Sequence, residues 1–174
     1  MSQIKVDSIV PRGGLPAGAY GGVIQIVQSV KTSVFRTSSL SWVDITGMTG
    51  TITPQSASNK IMVSGNFVLG TTNGGYFQFR ILRGSTAIDI GAADGNKTQA
   101  TYSSFANDFG SQYNFSYTPM YLDSPNTTSA TTYKCQLQVP HSSYGAVINS
   151  TYADSDTDFL STYQSNFTLM EVSV

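Results

Sequence analysis

The segment TYKCQLQV, residues 132–139, decides the fold class of this chain. Tyr133, Cys135, Leu137 and Val139 alternate with polar residues along it. Successive side chains of a β-strand point to opposite faces, so this alternation with a period of two predicts a strand. No window of the chain has a convincing helical period. The fold class is therefore expected to be all-β.

Short strand patterns recur on both sides of this segment, with turn-forming residues between them. Ile61, Val63, Phe67 and Leu69 share the predicted inner face of one such strand. The segment 85–111 is rich in Gly, Asn, Asp and Ser and is expected to be a loop. About eight to ten strands in one domain predict a two-sheet antiparallel β-sandwich of jelly-roll type. The strands are expected at 22–30, 33–37, 41–47, 50–54, 59–70, 75–84, 112–122, 132–139, 146–150 and 165–174.

The composition agrees with an all-β fold. At 174 residues the chain fits one domain with a real core. Charged residues make up 11% of it, less than half the usual share, and Glu171 is the single glutamate. Surface helices are normally rich in Glu and Lys, whereas Thr, Tyr, Phe, Val and Ile suit a half-buried pleated sheet.

Residues 1–22 differ from the rest of the chain. Their apolar residues come first, and a run of Gly and Pro follows that breaks regular structure. Such a segment cannot form its own core, so we expect an extended arm that is either floppy or docks on a partner subunit as an edge strand, and docking is the preferred interpretation. The predicted boundaries are an arm at 1–22 and a sandwich domain at 23–174. The arm residues expected to be buried by docking are Ile4, Val6, Ile9 and Val10.

Charge and hydropathy argue against nucleic-acid and membrane partners. The net charge is −1, and Lys and Arg are scattered, so there is no electrostatic footprint for DNA or RNA. No apolar run approaches about 18 residues, and the N-terminus lacks the apolar region of a signal peptide. We therefore expect synthesis in a cytosol and no membrane insertion.

The residues that could support catalysis are few. His141 is the only histidine and lies in a predicted turn, PHSSYG, where a solvated loop histidine is expected. Cys135 is the only cysteine, and its place in a strand favours a buried, inert thiol over a nucleophile. Most aspartates lie in turn-forming contexts, where the side chain bonds its own backbone. The chain is expected to be no enzyme and to need no cofactor.

One motif resembles the opening of a calcium loop. Asp154, Asp156 and Asp158 alternate, and alternation lets carboxylates converge on a hard cation. The later glycine and bidentate glutamate of such a loop are missing. A solvated acidic loop is the preferred interpretation, and a calcium site is the alternative.

Tyrosines in or beside predicted loops are candidate binding residues. Tyrosine with Asn and Ser gives adaptable contact surfaces of low entropy cost, and its ring stacks on sugars. Two alternatives stay open: these residues edge the sheets, or they lie in subunit interfaces. The candidates are Tyr102, Tyr113, Tyr144, Tyr152 and Tyr163.

The order of several motifs supports a resemblance. The arm and first strand run IKVDSIVPRGGLPAGAYGGVIQIVQSVKT, followed by TITPQSASNKIMVSGNFVLG, RILRGST, DGNKT, YLDSPNTTSATTYKCQLQ and FTLMEV. In this order they resemble a family of small virion proteins of marine tailed phages, cyanophages included, that are tail-fibre-like or structural. The resemblance covers nearly the whole chain. It implies a β-sandwich displayed on a virus particle as a homotrimer, and it implies no catalytic residues.

Two functions follow from the resemblance as expectations. The first is a tail-fibre or receptor-binding component whose tyrosine-bearing loops contact host surface glycans. The second is a capsid decoration or head-fibre protein that ornaments the shell. In both, the protein would lie on the virion surface after synthesis in the host bacterial cytoplasm, with other phage structural proteins as partners.

Overall fold

The computed structural model of the protein describes residues 22–106, 112–158 and 160–174. These residues contain β-strands and no helix. The strands are β1 (Val23–Lys31), β2 (Phe35–Thr37), β3 (Val43–Ile52), β4 (Lys60–Thr71), β5 (Gly75–Arg83), β6 (Thr86–Ile88), β7 (Tyr102–Ala106), β8 (Asn114–Tyr117), β9 (Met120–Asp123), β10 (Thr131–Gln138), β11 (Ala146–Ile148) and β12 (Ser165–Val172).

The strands form two antiparallel sheets. In the first sheet, β4 is the central strand: it pairs with β12 and β11 on one side and with β9 and β8 on the other. Outside β12 and β11 lie β1 and β2, so the sheet has four rows. The second sheet also has four rows, in the order β3, β10, β5, and then β6 and β7 together.

The prediction of a two-sheet antiparallel β-sandwich is confirmed. Its finer form, a jelly roll, stays a prediction. It is favoured by the way the chain alternates between the sheets, from β1 to β3, back to β4, and on to β5.

The core lies between the sheets and is built from the inward residues of alternating strands. Ile61, Val63 and Leu69 of β4 are fully buried, which confirms their predicted face. The ring of Phe67 lies 4.7 Å from that of Phe79 across the sandwich and 6.3 Å from that of Phe167. Burial of one such side chain stabilises the fold by about 1.5–3 kcal/mol.

Some predicted strand boundaries were wrong. The strands expected at 41–47 and 50–54 are one strand, β3, because Gly47 takes a φ of 86° inside an irregular pairing with β10 and makes a bulge instead of a turn. The segment predicted as a loop, 85–111, contains β6 and β7. The strand expected at 112–122 is two, β8 and β9, separated at Pro119, which has no N–H to pair.

Residues 1–21 of the predicted arm lie outside the described residues. This applies to Ile4, Val6, Ile9 and Val10, so their docking stays a prediction. Among the described residues, no helix is long and apolar enough to cross a membrane.

Candidate functional site

The outward side of the first sheet carries a stripe of apolar side chains. Ile26 of β1 lies opposite Met170 of β12, which lies opposite Met62 of β4. Met62 in turn lies opposite Leu122 of β9. Since neighbouring strands are about 4.8 Å apart, these four residues form a continuous stripe about 14 Å across all rows of the sheet.

Several side chains of this stripe and beside it are open to solvent. Ile26 is 63% exposed, Leu122 is 49% exposed, and Met120 is 77% exposed. Contiguous exposed apolar side chains on a protein surface mark a site of association. We call this surface the apolar face and define it by Ile26, Met62, Met120, Leu122 and Met170.

Polar side chains border the apolar face and bond to one another. The Nε2 of Gln28 donates to the Oγ1 of Thr168 at 2.9 Å, and the Oγ of Ser116 donates to the Oδ1 of Asn66 at 3.0 Å. An apolar centre with a polar rim is the usual anatomy of a protein–protein interface.

The outward side of the second sheet is different, because amide side chains of adjacent strands bond there. Gln138 of β10 donates from Nε2 to the Oε1 of Gln78 on β5 at 2.7 Å. Next to this pair, Arg80 donates from Nε to the Oε1 of Gln136 at 2.8 Å. Gln136 then donates from Nε2 to the Oδ1 of Asp44 on β3 at 2.6 Å. The resulting network spans three rows of the sheet.

Aromatic rings lie at both ends of this network. At one end the guanidinium carbon of Arg80 lies 4.3 Å from the ring centroid of Trp42. At the other end Tyr76 stacks on Phe105, with centroids 4.2 Å apart and an interplanar angle of 19°. The ring of Tyr144 lies 6.1 Å from that of Tyr76. We call this surface the amide–aromatic face and define it by Trp42, Asp44, Tyr76, Gln78, Arg80, Phe105, Gln136 and Gln138.

Two cations, Arg80 and Lys134, and one carboxylate, Asp44, lie on the outward side of the second sheet. The Nζ of Lys134 lies 2.9 Å from the Oδ2 of Asp44. This hydrogen bond and the one from Gln136 hold the pKa of Asp44 below its ordinary value. Burial lowers the pKa of Arg80, while the nearby charge of Asp44 opposes that shift. Asp44 is therefore ionised at neutral pH; it bonds Lys134 directly and is linked to Arg80 through Gln136.

The five candidate tyrosines do not form one binding surface. Tyr102 was expected in a loop but is the first residue of β7, where its ring stacks on Tyr117 at 4.4 Å and packs against the core. Tyr152 lies beneath the guanidinium of Arg36, at 5.4 Å from ring centroid to guanidinium carbon. Tyr144 also packs against the core but reaches the amide–aromatic face.

The other two candidate tyrosines are Tyr113 and Tyr163. Tyr113 is 50% exposed just before β8, and Tyr163 is half-buried just before β12. The loop hypothesis stays untested for both.

The aspartate-rich loop uses one of its carboxylates within the protein. Asp154 accepts from Arg36 at 2.8 Å and from Ser150 at 2.9 Å, and these bonds, that of Ser150 first, lower its pKa. Asp156 and Asp158 are exposed. An open cavity of about 360 Å³ is lined by Asp154 and Asp156. Within the described residues, no three His, Cys, Asp or Glu side chains are grouped to hold a metal ion, so the calcium hypothesis gains no support.

Cysteine, glutamate and histidine each occur once in this chain, as Cys135, Glu171 and His141, and the structure shows the surroundings of all three. Cys135 is fully buried, as predicted, and burial raises the pKa of its thiol. Glu171 is also fully buried, and its Oε1 accepts from the backbone N–H of Gln55 at 2.7 Å and from Asn59 at 2.6 Å. It therefore fixes the loop between β3 and β4. His141 is exposed in its turn, where its Nδ1 accepts from the N–H of Ser143.

The sequence did not single out the amide–aromatic face. A signal was present, because Tyr76, Gln78 and Arg80 alternate along β5 and Gln136 and Gln138 alternate along β10. Alternating positions share a face. What the sequence does not give is the pairing of β5 with β10, which brings the two sets together.

Comparisons with known proteins add little. Neither a scan against protein-family models nor a search of curated proteins finds a match. Among solved structures, the chain is similar to one in the structure of infectious bursal disease virus, Gx strain, at 11% identity and a TM-score of 0.40. The similarity covers 87% of this chain and 39% of that chain, so this chain spans well under half of its length. A likeness this distant carries no weight for function, which must come from the two faces.

Proposed function

We propose that this chain is a non-enzymatic structural protein of a bacteriophage virion surface, namely a trimeric tail-fibre or receptor-binding component that contacts host surface glycans. The observation that carries the structural role is the apolar face, which crosses every row of the first sheet in register. The resemblance in motif order to virion proteins of marine tailed phages supplies the phage context.

Copies of this chain are the proposed occupants of the apolar face. In a closed ring of three, each subunit offers two different surfaces, so the stripe of one copy meets another part of its neighbour. The described part of the chain begins at Gly22, directly before β1, whose outward side chains Ile24 and Ile26 are exposed. Residues 1–21 could extend about 70 Å, enough to reach a neighbouring subunit. The apolar pattern of Ile4 and Val6 suits that role.

Capsid decoration is the second candidate. It is favoured by the form of the apolar face, which spans a whole sheet and could lie flat on a shell. The described residues also contain no helix that could make a coiled-coil shaft. The number of copies per particle separates the candidates: tens would indicate the tail, and hundreds the head.

The oligomeric state tests the assembly role. Sedimentation equilibrium of the full chain is expected to give a trimer, and the double variant Met62→Gln, Leu122→Gln is expected to give monomers with an unchanged circular dichroism spectrum. The matched control is Thr132→Gln, on the outward side of the second sheet, which should remain trimeric. A monomeric wild type, or a trimeric double variant, would rule out the proposed interface.

Location and host contact test the rest of the proposal. Electron cryomicroscopy of the intact virion should place the sandwich at the tail. The purified trimer should bind host cells and be displaced by soluble host saccharides. Density on the head, together with no binding to cells, would favour decoration instead.

A further inference from the structure

We propose that the amide–aromatic face is a saccharide-binding site, in which Trp42 and Tyr76 pack against sugar rings and Gln78 and Arg80 bond their hydroxyls. This inference rests on the proposed function and deepens it, because it names the host-contacting surface and the class of ligand. It also moves that surface from the tyrosine loops to the outward side of the second sheet.

The chemistry of the face matches that of a sugar chain. A sugar ring has an apolar C–H face and a rim of hydroxyls that each donate and accept. A flat aromatic ring packs on the C–H face of the sugar. A glutamine amide offers a donor beside an acceptor to the hydroxyls. Tyr76 is 41% exposed and stacks on a half-buried Phe105, so an open aromatic surface lies next to the amide of Gln78.

The polar groups are already held in place. The Oε1 of Gln78 accepts from Gln138, which leaves the donor end of its amide for a ligand. The Nε of Arg80 is used by Gln136, and no bond from its terminal nitrogens to an acceptor is found within the described residues. Because these side chains are fixed before binding, little entropy is lost when a ligand arrives.

The arrangement along β5 fits an extended ligand. Tyr76, Gln78 and Arg80 follow one another at every second position on one face of the strand. Two residues of a strand span about 6.6 Å, so these three side chains cover about 13 Å. That length exceeds a single sugar ring, so a chain of sugars running along the strand is expected.

The charge of the face argues against other macromolecules. Arg80 and Lys134 face one ionised carboxylate, Asp44, which gives a local charge of about +1 and not the dense positive field that nucleic acids require. A protein partner would be expected on the apolar face. The remaining positive charge admits both neutral and acidic saccharides, and the test includes both.

The single tryptophan makes the test site-specific. Trp42 is the only tryptophan of the chain, so its emission reports ligand contact at the face. The full-length protein is applied to an array of immobilised neutral and acidic microbial polysaccharides. Oligosaccharides of the polysaccharide that it binds most strongly are then titrated while the fluorescence of Trp42 is followed. Binding is expected to shift the emission and to saturate.

Two independent substitutions test the assigned contacts. Tyr76→Ala removes the ring, and Gln78→Ala removes the amide; each is expected to weaken binding at least tenfold. The control Asp154→Asn, at the exposed ion pair with Arg36, should bind as the wild type does. All variants should keep the wild-type oligomeric state and circular dichroism spectrum.

The outcomes separate this inference from the proposed function. No binding to any polysaccharide on the array, or unchanged affinity in both variants, would overturn the site. Binding of a second copy at this face, seen as protection of Trp42 on trimer formation, would overturn it too. A trimer located on the virion would still support the proposed function in those cases. A monomer absent from virions would refute the proposed function while the titration could still succeed.

Discussion

The two sheets of this sandwich resemble each other on their inward sides and differ on their outward sides. Inside, Phe67 of the first sheet and Phe79 of the second meet in one apolar core. Outside, the first sheet presents Met62 and Leu122, and the second presents bonded amides such as Gln78 and Gln138. Folding requires only the inward side, so the outward sides are free to carry different functions.

The difference between the faces predicts different modes of binding. Apolar contact has no direction, and its strength follows the area removed from water. Bonded amides and fixed rings impose direction, because a ligand must match their positions. The apolar face is therefore suited to permanent assembly, and the amide–aromatic face to selective recognition.

The largest expected effect comes from the core that both faces share. Phe67→Ala removes a fully buried ring that contacts Phe79 and Phe167, and a loss of about 3–5 kcal/mol in unfolding free energy is expected. Urea denaturation followed by circular dichroism measures it. Assembly and saccharide binding should fail together in this variant. If only one of them failed, the two faces would not depend on a common core.

The inward side could be predicted from the sequence because period-two alternation determines it. Ile61, Val63 and Leu69 were placed correctly for that reason. The strand β7, with the sequence YSSFA, was not predicted. Its aromatic residues Tyr102 and Phe105 lie on opposite faces of the strand, and serines separate them. Such a strand has no apolar alternation to detect.

The outward sides were harder to predict because they depend on strand order. Met62 and Met170 are apolar residues on the second face of their strands, and strands that are apolar on both faces indicate that both become covered. That signal could have revealed the apolar face. The pair Gln78–Gln138 is different, because 60 positions separate its members and only the register of β5 and β10 joins them.

A smaller effect is expected from the polar link between the sheets. Asp123 of the first sheet accepts from Arg83 of the second at 2.8 Å and from the hydroxyl of Tyr133 at 2.7 Å. Burial and this hydrogen bond raise the pKa of Tyr133, so its hydroxyl stays a donor. Asp123→Asn should lower the unfolding free energy by about 1–3 kcal/mol, because buried donors lose a charged acceptor.

The matched control for that change lies at an exposed ion pair. Asp154→Asn alters the pair with Arg36, whose partners are both open to solvent, and should change the urea midpoint much less. Equal losses in both variants would mean that Asp123 does not link the sheets as described.

A still smaller effect on stability is expected from substituting a residue that only positions other side chains of the amide–aromatic face. Gln136→Ala leaves Arg80 without its Nε acceptor and should cost about 1 kcal/mol of stability. Saccharide affinity should fall several-fold through the loosened arginine, and Gln136→Glu, which keeps an acceptor for Arg80 but places a second carboxylate against Asp44, should restore only part of it. An unchanged affinity in Gln136→Ala would show that Arg80 needs no fixing.

The smallest effect concerns a charge away from both faces. Asp89 is half-buried with a φ of 52°, and burial raises the pKa of its carboxyl above the ordinary 3.8. A raised folded pKa means that stability from this group is present at low pH and is lost as the pH rises through the folded value. Asp89→Asn removes that loss, and asparagine tolerates the left-handed backbone.

The Asp89→Asn variant should match the wild type in urea denaturation near about pH 3, where the carboxyl is protonated in both states. At neutral pH it should gain up to about 0.5 kcal/mol, while trimer formation and saccharide binding stay unchanged. A gain of equal size at both pH values would mean that the charge of Asp89 is not its cause.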